Sequence, residues 1–264
     1  NMARAIYGGL LDSGVSATNL SVVDPSAAAQ DNARKASIEH VFASAPGEAL
    51  SADLIVLAIK PQITKAALQP LSGRLATHSL VLSIVAGINA KSLAALLGLS
   101  DTGRIIRCMP NTPALVGEGM TGLYASTEAG SAEGKALAER VMSSVGQCVW
   151  VENESDIDVV TAISGSGPAY FFLFIESLTD AAIALGMNSE SARKLALQTA
   201  LGASRLASLS SEDAATLRKN VTSPGGTTEQ AIQAFEAADI RGIVAQATQA
   251  AARRSVELSK EFGA

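Results

Sequence analysis

Near-continuous apolar runs mark the first half of the chain, at residues 53–60, 80–87 and 104–109. None of them alternates between apolar and polar positions, and unbroken runs of this length are typical of strands buried on both faces. Helical patterns separate the runs, near residues 62–71, 90–97 and 131–145. Strands that alternate with helices in this way predict a parallel, doubly wound (Rossmann-like) α/β sheet.

Shorter elements flank these runs. The chain begins directly in a helical pattern at Asn1, and a short apolar strand at 20–23 ends at Asp24-Pro25 before an alanine-rich helical segment. Two further strands, near 119–125 and 147–151, extend the sheet. The β pattern stops after Trp150, so we expect a first domain over residues 1–152.

The rest of the chain, residues 153–264, is helical throughout and predicts an all-α second domain. One helix within it, starting near Ala169, is apolar on every side and carries three of the six phenylalanines within four residues. Such a helix must be buried all round, and about 110 residues of helix are too few to enclose it. A second copy of the chain is the natural cover, so we expect a homodimer through this domain. Further helices are predicted near 190–208, 212–220, 228–236 and 239–260.

A serine- and glycine-rich turn, residues 164–168, precedes the apolar helix. Small residues at this place fit two structures, a loop that binds a ligand or a tight contact between helices. The sequence alone leaves both open.

Composition narrows the class of protein. The chain has 264 residues, 48% of them hydrophobic, which is enough for two cores. With 20 basic and 25 acidic residues the net charge is −5, and no basic run suits a nucleic acid. The longest apolar stretch, residues 169–185, is interrupted by Glu176 and Asp180, so no membrane association is expected.

The cysteines and histidines give no sign of a disulfide framework or a metal site. Cys108 and Cys148 lack CxxC spacing and fit small core residues of a protein in the reducing cytoplasm. His40 and His78 are isolated from any cluster of ligands, so we expect no metal.

The run from Asn220 to Glu229 has the composition of an anion pocket at the start of a helix. Pro224 cannot continue the preceding helix, and the glycines at 225 and 226 allow a sharp turn. Thr227 and Gln230 have capping-box spacing, which predicts a helix start with free N–H groups. A carboxylate or phosphate would bind well there, although an ordinary glycine-rich corner between two helices has the same pattern.

Three loops follow the predicted parallel strands, at Lys60-Pro61, Ala86-Gly87 and 110–113. Ligands of doubly wound sheets bind at the carboxyl ends of the strands, so a dinucleotide would lie against these loops. Proline and glycine also simply terminate strands, and each loop taken singly fits that alternative.

Four segments together resemble the pyrroline-5-carboxylate reductase family: 58–61, 107–113, 164–170 and 220–228. The resemblance covers essentially the whole chain and implies a dinucleotide-binding domain followed by a helical dimerisation domain. In that family the chain begins with a strand and a glycine-rich turn that ends in a sequence similar to Asn1-Met2-Ala3. The resemblance therefore implies that the first strand and most of the pyrophosphate cradle lie upstream of Asn1.

The activity implied by the resemblance is the last step of proline biosynthesis. A hydride passes from NAD(P)H to the C=N carbon of L-1-pyrroline-5-carboxylate, and L-proline forms. The substrate carboxylate is expected at Ser223, Gly225, Gly226, Thr227 and Thr228, and the Thr228 hydroxyl is expected to hydrogen-bond the imine nitrogen as the catalytic group. Catalysis would consist mostly of positioning the reactants, which explains why no acid–base pair stands out.

The resemblance also implies the nucleotide site. The expected cofactor-binding residues are Asn1, Met2, Ala3, Asp24, Ser26, Ala58, Ile59, Lys60, Pro61, Ala86, Gly87 and Asn111. Asp24 ends a strand where a carboxylate commonly binds the ribose of NAD, whereas Ser26 and Arg34 could contact a 2′-phosphate. Ala45-Pro46 stands where the family often has an asparagine near the ribose. We expect NADP(H), with NAD(H) as the alternative.

Two other functions stay open. A related two-domain 3-hydroxy acid dehydrogenase would need a lysine base four residues after Gly167, where this chain has Phe171, and no lysine lies between Ala162 and Leu185. A nucleotide-binding scaffold dimer without turnover is the second alternative. Other imines are further candidate substrates for the same chemistry.

Overall fold

A computed structural model describes residues 1–126 and 130–262. Its residues form two compact units, one made of Asn1–Ser166 with the segment from Ala251 onward, the other of Gly167–Ala250. The last strand ends at Trp150. The division into domains at residue 152, which was placed at the end of the β pattern, stays a prediction.

The strands of the first unit run in chain order as β1 (Ser21–Val23), β2 (His40–Phe42), β3 (Leu54–Leu57), β4 (Leu80–Ser83), β5 (Ile105–Met109), β6 (Gly119–Ala125) and β7 (Gly146–Trp150). Among the described residues β1 and β2 form a parallel pair, and the other strands form a sheet in the order β3-β4-β5-β6-β7. Every strand predicted from the apolar runs is present. The sequence did not predict β2, which is three residues long and begins with the polar His40.

The larger sheet is parallel except at one place. Strands β3, β4 and β5 are mutually parallel, and β6 is parallel to β7, but β6 runs antiparallel to β5 with Met109 opposite Gly122. The sheet is thus predominantly parallel, as predicted, with one antiparallel pair that the sequence did not predict. Only residues 110–118 connect β5 to β6, and a parallel crossover needs a dozen or more residues.

Helices cover both faces of this sheet. The helices before Gly167 are α1 (Met2–Asp12), α2 (Ala27–Lys35), α3 (Thr64–Leu68), α4 (Ala90–Leu97), α5 (Ala132–Ser143) and α6 (Asp156–Val160), of which α2 contacts the β1–β2 pair instead. One core joins Ile106 of β5 to α1 and α5, and the other joins its neighbour Ile105 to α3 and α4. Adjacent residues of one strand thus belong to opposite cores, which is the packing of a doubly wound sheet. The predicted fold class is confirmed.

The second unit is helical. It contains α7 (Gly167–Ala184), α8 (Ser189–Leu209), α9 (Ala214–Asn220), α10 (Thr227–Ala237) and the first part of α11 (Ile240–Phe262). Each helix lies within two residues or so of the range expected from its pattern. Asn188 caps α8 by accepting a hydrogen bond from the Ser191 N–H at 2.9 Å, and the rings of Phe174 and Phe235 are 6.0 Å apart.

Large apolar side chains of this unit stand exposed in a single chain. Phe171, Phe172 and Leu173 of α7 are each more than 60% exposed, and α8 adds Leu201 at 58%. By length and composition alone, the segment Asp156–Ala184 would also suffice to cross a membrane, and 17% of its most apolar window is buried. The continuous apolar surface marks an interaction surface.

Candidate active site

Three loops of the first unit meet at one edge of the sheet. The pairing places Leu57 beside Ser83 and Ser83 beside Arg107, so β3, β4 and β5 end in one row. The loops after these strands carry seven of the predicted cofactor residues: Ala58, Ile59, Lys60, Pro61, Ala86, Gly87 and Asn111. The structure therefore brings these residues to the edge where doubly wound sheets bind ligands.

The loop after β4 depends on a glycine. Gly87 is buried and has φ +72°, a left-handed conformation that favours glycine. A Cβ atom at this position would lie 3.2–3.3 Å from the backbone and Cβ of Leu258 in α11. Both the backbone conformation and the close contact with Leu258 therefore require glycine at this position.

The loop after β3 is closed by its own hydrogen bonds. The Lys60 carbonyl accepts from the Ile63 N–H at 3.1 Å and from the buried Thr64 hydroxyl at 3.0 Å. Pro61 begins a short 3-10 turn. The Lys60 side chain is left exposed beside the sheet edge, where a cation suits a phosphate.

Asn111 has structural partners on both sides of its amide. Its Oδ1 accepts from the Met120 N–H at 2.9 Å, and its Nδ2 donates to the Ser164 carbonyl at 3.0 Å. The side chain, 9% exposed, thereby ties the loop after β5 to β6 and to the turn before α7. Its contact with the cofactor stays a prediction. Such a contact would have to use the second N–H of Nδ2 or the second lone pair of Oδ1, because the two bonds above occupy the others.

The serine- and glycine-rich turn before α7 packs tightly against the end of β5. A Cβ atom at Gly165 would lie 3.2 Å from the Met109 methyl carbon. Residues 161–165 form a π-helical turn, which brings the Ser164 carbonyl to Asn111. Close packing against Met109 therefore explains Gly165.

Asp24 and Ser26 form the turn after β1. The Asp24 carboxylate accepts from the Ser26 N–H at 2.8 Å, and Gln30 donates to the Asp24 carbonyl at 2.9 Å. Arg34 pairs with Asp31 at 3.2 Å. Asp24 is half-buried and Ser26 is exposed at the carboxyl end of their strand, the place where nucleotide ribose groups are recognised.

Asn1, Met2 and Ala3 form the start of α1. Asn1 is its N-cap and makes no side-chain capping bond, while its carbonyl accepts from the Ala5 N–H at 3.1 Å. The N-terminus of a helix of 11 residues favours the binding of a negative group such as a pyrophosphate. Their role in cofactor binding stays a prediction.

The turn before α10, in the second unit, differs in one respect from its expected capping. The N-cap is Gly226, so Thr227 is the first helical residue and Glu229 occupies the third position. Glu229 then reaches back and accepts from the Gly225 N–H at 2.8 Å. The capping box expected from Thr227 and Gln230 was therefore wrong by one residue in register, because the glycine rather than the threonine leaves the helical conformation.

This turn nevertheless presents free hydrogen-bond donors. Gly225 has φ +69° and turns the chain, and the Gly226 N–H bonds the Ser223 carbonyl at 3.0 Å. The described residues offer no acceptor to the N–H groups of Thr227, Thr228 and Glu229, nor to the hydroxyls of Ser223, Thr227 and Thr228. Clustered N–H and O–H donors at a helix N-terminus bind an anion. Gly225 contributes its backbone conformation, since its own N–H is used by Glu229.

One interaction near the sheet edge could not be predicted from the sequence. Arg107, which is almost fully buried, pairs with Glu154 at 3.0 Å, and the same carboxylate oxygen accepts from the Ala90 N–H at 2.7 Å. These residues are 47 and 64 positions apart from Glu154. Only the folded structure brings them together.

The cysteines are free thiols, as expected for core residues. Burial raises the pKa of the Cys108 thiol well above its usual range, and burial also raises the pKa of Cys148. A buried thiol held protonated is a poor nucleophile. In the part of the chain that the structure describes, no group of His, Cys, Asp and Glu side chains could hold a metal ion.

Known protein families match both parts of the chain. The family model described as "NADP oxidoreductase coenzyme F420-dependent" matches residues 1–87, and the one described as "Pyrroline-5-carboxylate reductase dimerisation" matches residues 154–258. The pyrroline-5-carboxylate reductase of Pseudomonas aeruginosa is 45% identical over 264 residues, which cover 100% of this chain and 95% of the relative. The enzyme of Vibrio alginolyticus is 42% identical, covering 99% and 96%.

Solved structures agree with these matches. A pyrroline-5-carboxylate reductase from Coxiella burnetii superposes with a TM-score of 0.91 at 40% identity, covering 98% of this chain and 95% of its own. The Plasmodium falciparum pyrroline carboxylate reductase, solved with NADP bound, gives a TM-score of 0.83 at 31% identity, covering 98% and 94%. With this fold, these matched segments and relatives of this identity over the full length, the chain belongs to the pyrroline-5-carboxylate reductase family.

Proposed function

We propose that the protein reduces L-1-pyrroline-5-carboxylate to L-proline, the last step of proline biosynthesis, with NADP(H) as the favoured cofactor and NAD(H) as the alternative. The observation that carries the proposal is the donor cluster before α10, in a chain whose relatives over the full length are pyrroline-5-carboxylate reductases. The substrate has one carboxylate, which is the group that such a cluster binds.

The proposed substrate pocket uses the turn at 223–228. The hydroxyls of Ser223, Thr227 and Thr228 and the N–H groups of the first turn of α10 bind the substrate carboxylate, with the helix dipole favouring the negative charge. Gly225 and Gly226 shape the turn so that the donors point outward. The ring is thereby fixed by one end, which leaves its C=N bond oriented.

Thr228 is the proposed catalytic group. Its hydroxyl hydrogen-bonds the imine nitrogen, which must carry a proton as it becomes an amine. A protonated imine forms in solution, so the hydroxyl has to orient the nitrogen and need not be a strong acid. Most of the rate acceleration then comes from positioning and the exclusion of water, worth roughly 7–11 kcal/mol at best.

The proposed nucleotide site is the sheet edge of the first unit. The buried turn at Gly87 has no room for a side chain, which would clash with Leu258, and its positive φ favours glycine. The loops at 58–61 and at Asn111 flank it, Lys60 supplies a cation, and Asp24 and Ser26 recognise the adenosine ribose. When bound, NADPH supplies the hydride.

The assembly proposed for this enzyme is a homodimer through the helical unit, with larger oligomers built from such dimers. The dimerisation family model covers this unit, whose apolar helices are exposed in one chain. We also propose that the protein is cytoplasmic and that the apolar segment ending at Ala184 is covered by the partner subunit rather than by lipid.

The deciding experiment follows the absorbance of NADPH and, separately, of NADH with and without L-1-pyrroline-5-carboxylate, and identifies proline by mass spectrometry. Oxidation that requires the substrate and yields proline establishes the reaction and ranks the cofactors. Turnover of 3-hydroxy acids instead would support the dehydrogenase alternative. Binding of NADPH without turnover of any imine would support a scaffold dimer.

A further inference from the structure

A single carboxylate oxygen ties together two elements of the sheet edge. Glu154 Oε1 lies 3.0 Å from the Arg107 guanidinium and 2.7 Å from the backbone N of Ala90. The Arg107 side chain is 8% exposed and that of Glu154 30%. The bond therefore joins the end of β5 to the first residue of α4 in a mostly dry environment.

Both tied points adjoin loops of the proposed nucleotide site. Ala90 follows Gly87 by three residues, and Arg107 precedes Pro110 by three. The two strands are neighbours, with Ser83 paired to Arg107. A shift of the Glu154 carboxylate would thus displace the residues that adjoin the loop after β4 and the loop after β5.

Each of these loops also has contacts that do not involve Glu154. Leu258 backs the turn at Gly87, and the Asn111 amide bonds Met120 and Ser164. Those anchors act on one loop each, whereas Glu154 acts on both. The ladder between β4 and β5 includes Ser83 and Arg107, and Glu154 adds to it a link from Arg107 to Ala90, at the far end of the loop after β4.

We propose that Glu154 is a positioning residue for the nucleotide: through Ala90 and Arg107 it holds the loops after β4 and β5 at the separation that the nicotinamide half of NADPH requires. This inference rests on the nucleotide site proposed above. Stability alone explains the pair poorly, since replacing a buried ion pair by apolar residues is often neutral for stability. A fixed geometry that the cofactor needs is a stronger reason for its presence.

The experiment compares Glu154→Ala, Glu154→Gln and the double variant Arg107→Met/Glu154→Met, with Glu152→Gln as the control. Glu152 is exposed two residues earlier, and its side chain has no hydrogen-bond or ion-pair partner among residues 1–126 and 130–262. The measurements are the Kd of NADPH by fluorescence titration, the KM values of both substrates, kcat and the melting temperature, all on the full chain.

Glu154→Ala is expected to weaken NADPH binding about tenfold, the change expected from one charge-assisted hydrogen bond, while the KM of the imine acid stays near that of the wild type. Glu154→Gln keeps an acceptor for the Ala90 N–H and should recover part of this loss. The double variant leaves no unpaired buried charge and should recover the melting temperature but not the affinity for NADPH.

Recovery of both the melting temperature and NADPH affinity in the double variant would overturn the proposal, because Glu154 would then serve stability alone. So would wild-type NADPH affinity in Glu154→Ala. If Glu154→Ala does not fold, the Gln and double variants give the same comparison. A wild-type protein that binds NADPH but reduces no imine would contradict the proposed reaction and leave the measured effect of Glu154 standing.

Discussion

The two units of the chain bury their apolar residues to very different degrees. In the sheet unit Leu82, Ile105 and Ile106 are 0% exposed, with helices on both faces. In the described residues of the helical unit, the buried positions are the small Gly167, Ala192 and Ala196, while its phenylalanines and most of its leucines are exposed. The sheet unit thus buries its core within one chain, whereas the helical unit needs a second chain to cover its apolar helices.

The strongest way to break this contrast is to place charge on the exposed apolar helix. Phe171→Asp/Phe172→Asp should raise the dissociation constant of the homodimer about a thousandfold or more, because each buried phenylalanine lost from a core costs several kcal/mol. Sedimentation velocity over a dilution series measures the change. Val116→Asp is the matched control, since Val116 is 77% exposed in the sheet unit. A dimer of unchanged affinity in the α7 variant would refute the shared core.

A cavity in the sheet core should act on the single chain. Leu82→Ala is expected to lower the free energy of unfolding by about 2–5 kcal/mol, since Leu82 is fully buried. Thermal unfolding at several protein concentrations measures it. The paired variant Leu201→Ala, in the helical unit, should show an effect that varies with concentration, because partner contacts are involved. Concentration dependence of equal size in both variants would remove the distinction.

Because the proposed substrate pocket and the proposed nucleotide site lie in different units, a substitution in the pocket should lower turnover without weakening nucleotide binding. Thr228→Val should lower kcat about ten- to hundredfold, as expected for one hydrogen bond to a charged group, with the Kd of NADPH nearly unchanged. Steady-state kinetics and fluorescence titration measure the two quantities. Thr222→Val is the control, because its hydroxyl bonds the Arg218 carbonyl. Equal losses of turnover and nucleotide binding would mean that the pocket is assigned wrongly.

The smallest expected effects come from helix caps. Asn89 caps α4 in the sheet unit through the Ser92 N–H at 2.7 Å, and Asn188 caps α8 in the helical unit through the Ser191 N–H at 2.9 Å. Asn89→Ala and Asn188→Ala should each cost about 1 kcal/mol of stability. Chemical denaturation measures both. If the two units unfold separately, each variant will shift a different transition, and a common shift would show a single cooperative unfolding.

Much of the fold could be predicted because it depends on local pattern. The apolar runs gave β3, β4 and β5, and the range expected for α4 agrees with the structure at both ends. Strand direction is a different matter, since an apolar run does not encode it. The antiparallel direction of β6 follows from the short connection at 110–118. The length of this connection was not considered when the pattern of strands and helices was interpreted.

The candidate site was predictable where a chemical motif is contiguous. The turn at 223–228 and the strand-end loops were found from glycine, proline and hydroxyl residues in short runs. The bridge from Glu154 to Arg107 and Ala90 could not be found in this way, because its members are distant in sequence and become neighbours only in the sheet. The one-residue error in the capping of α10 has a local cause, as both Gly226 and Thr227 are acceptable N-cap residues.

The contact between Gly87 and Leu258 also has a consequence for the time course of synthesis. A ribosome produces the glycine turn early, with the sheet strands around it, but the residue that backs the turn is added far later. During the intervening period the nascent sheet can fold as a domain while its nucleotide loop lacks that support. The support for this loop therefore arrives only after α11 has been synthesised and has packed against the turn.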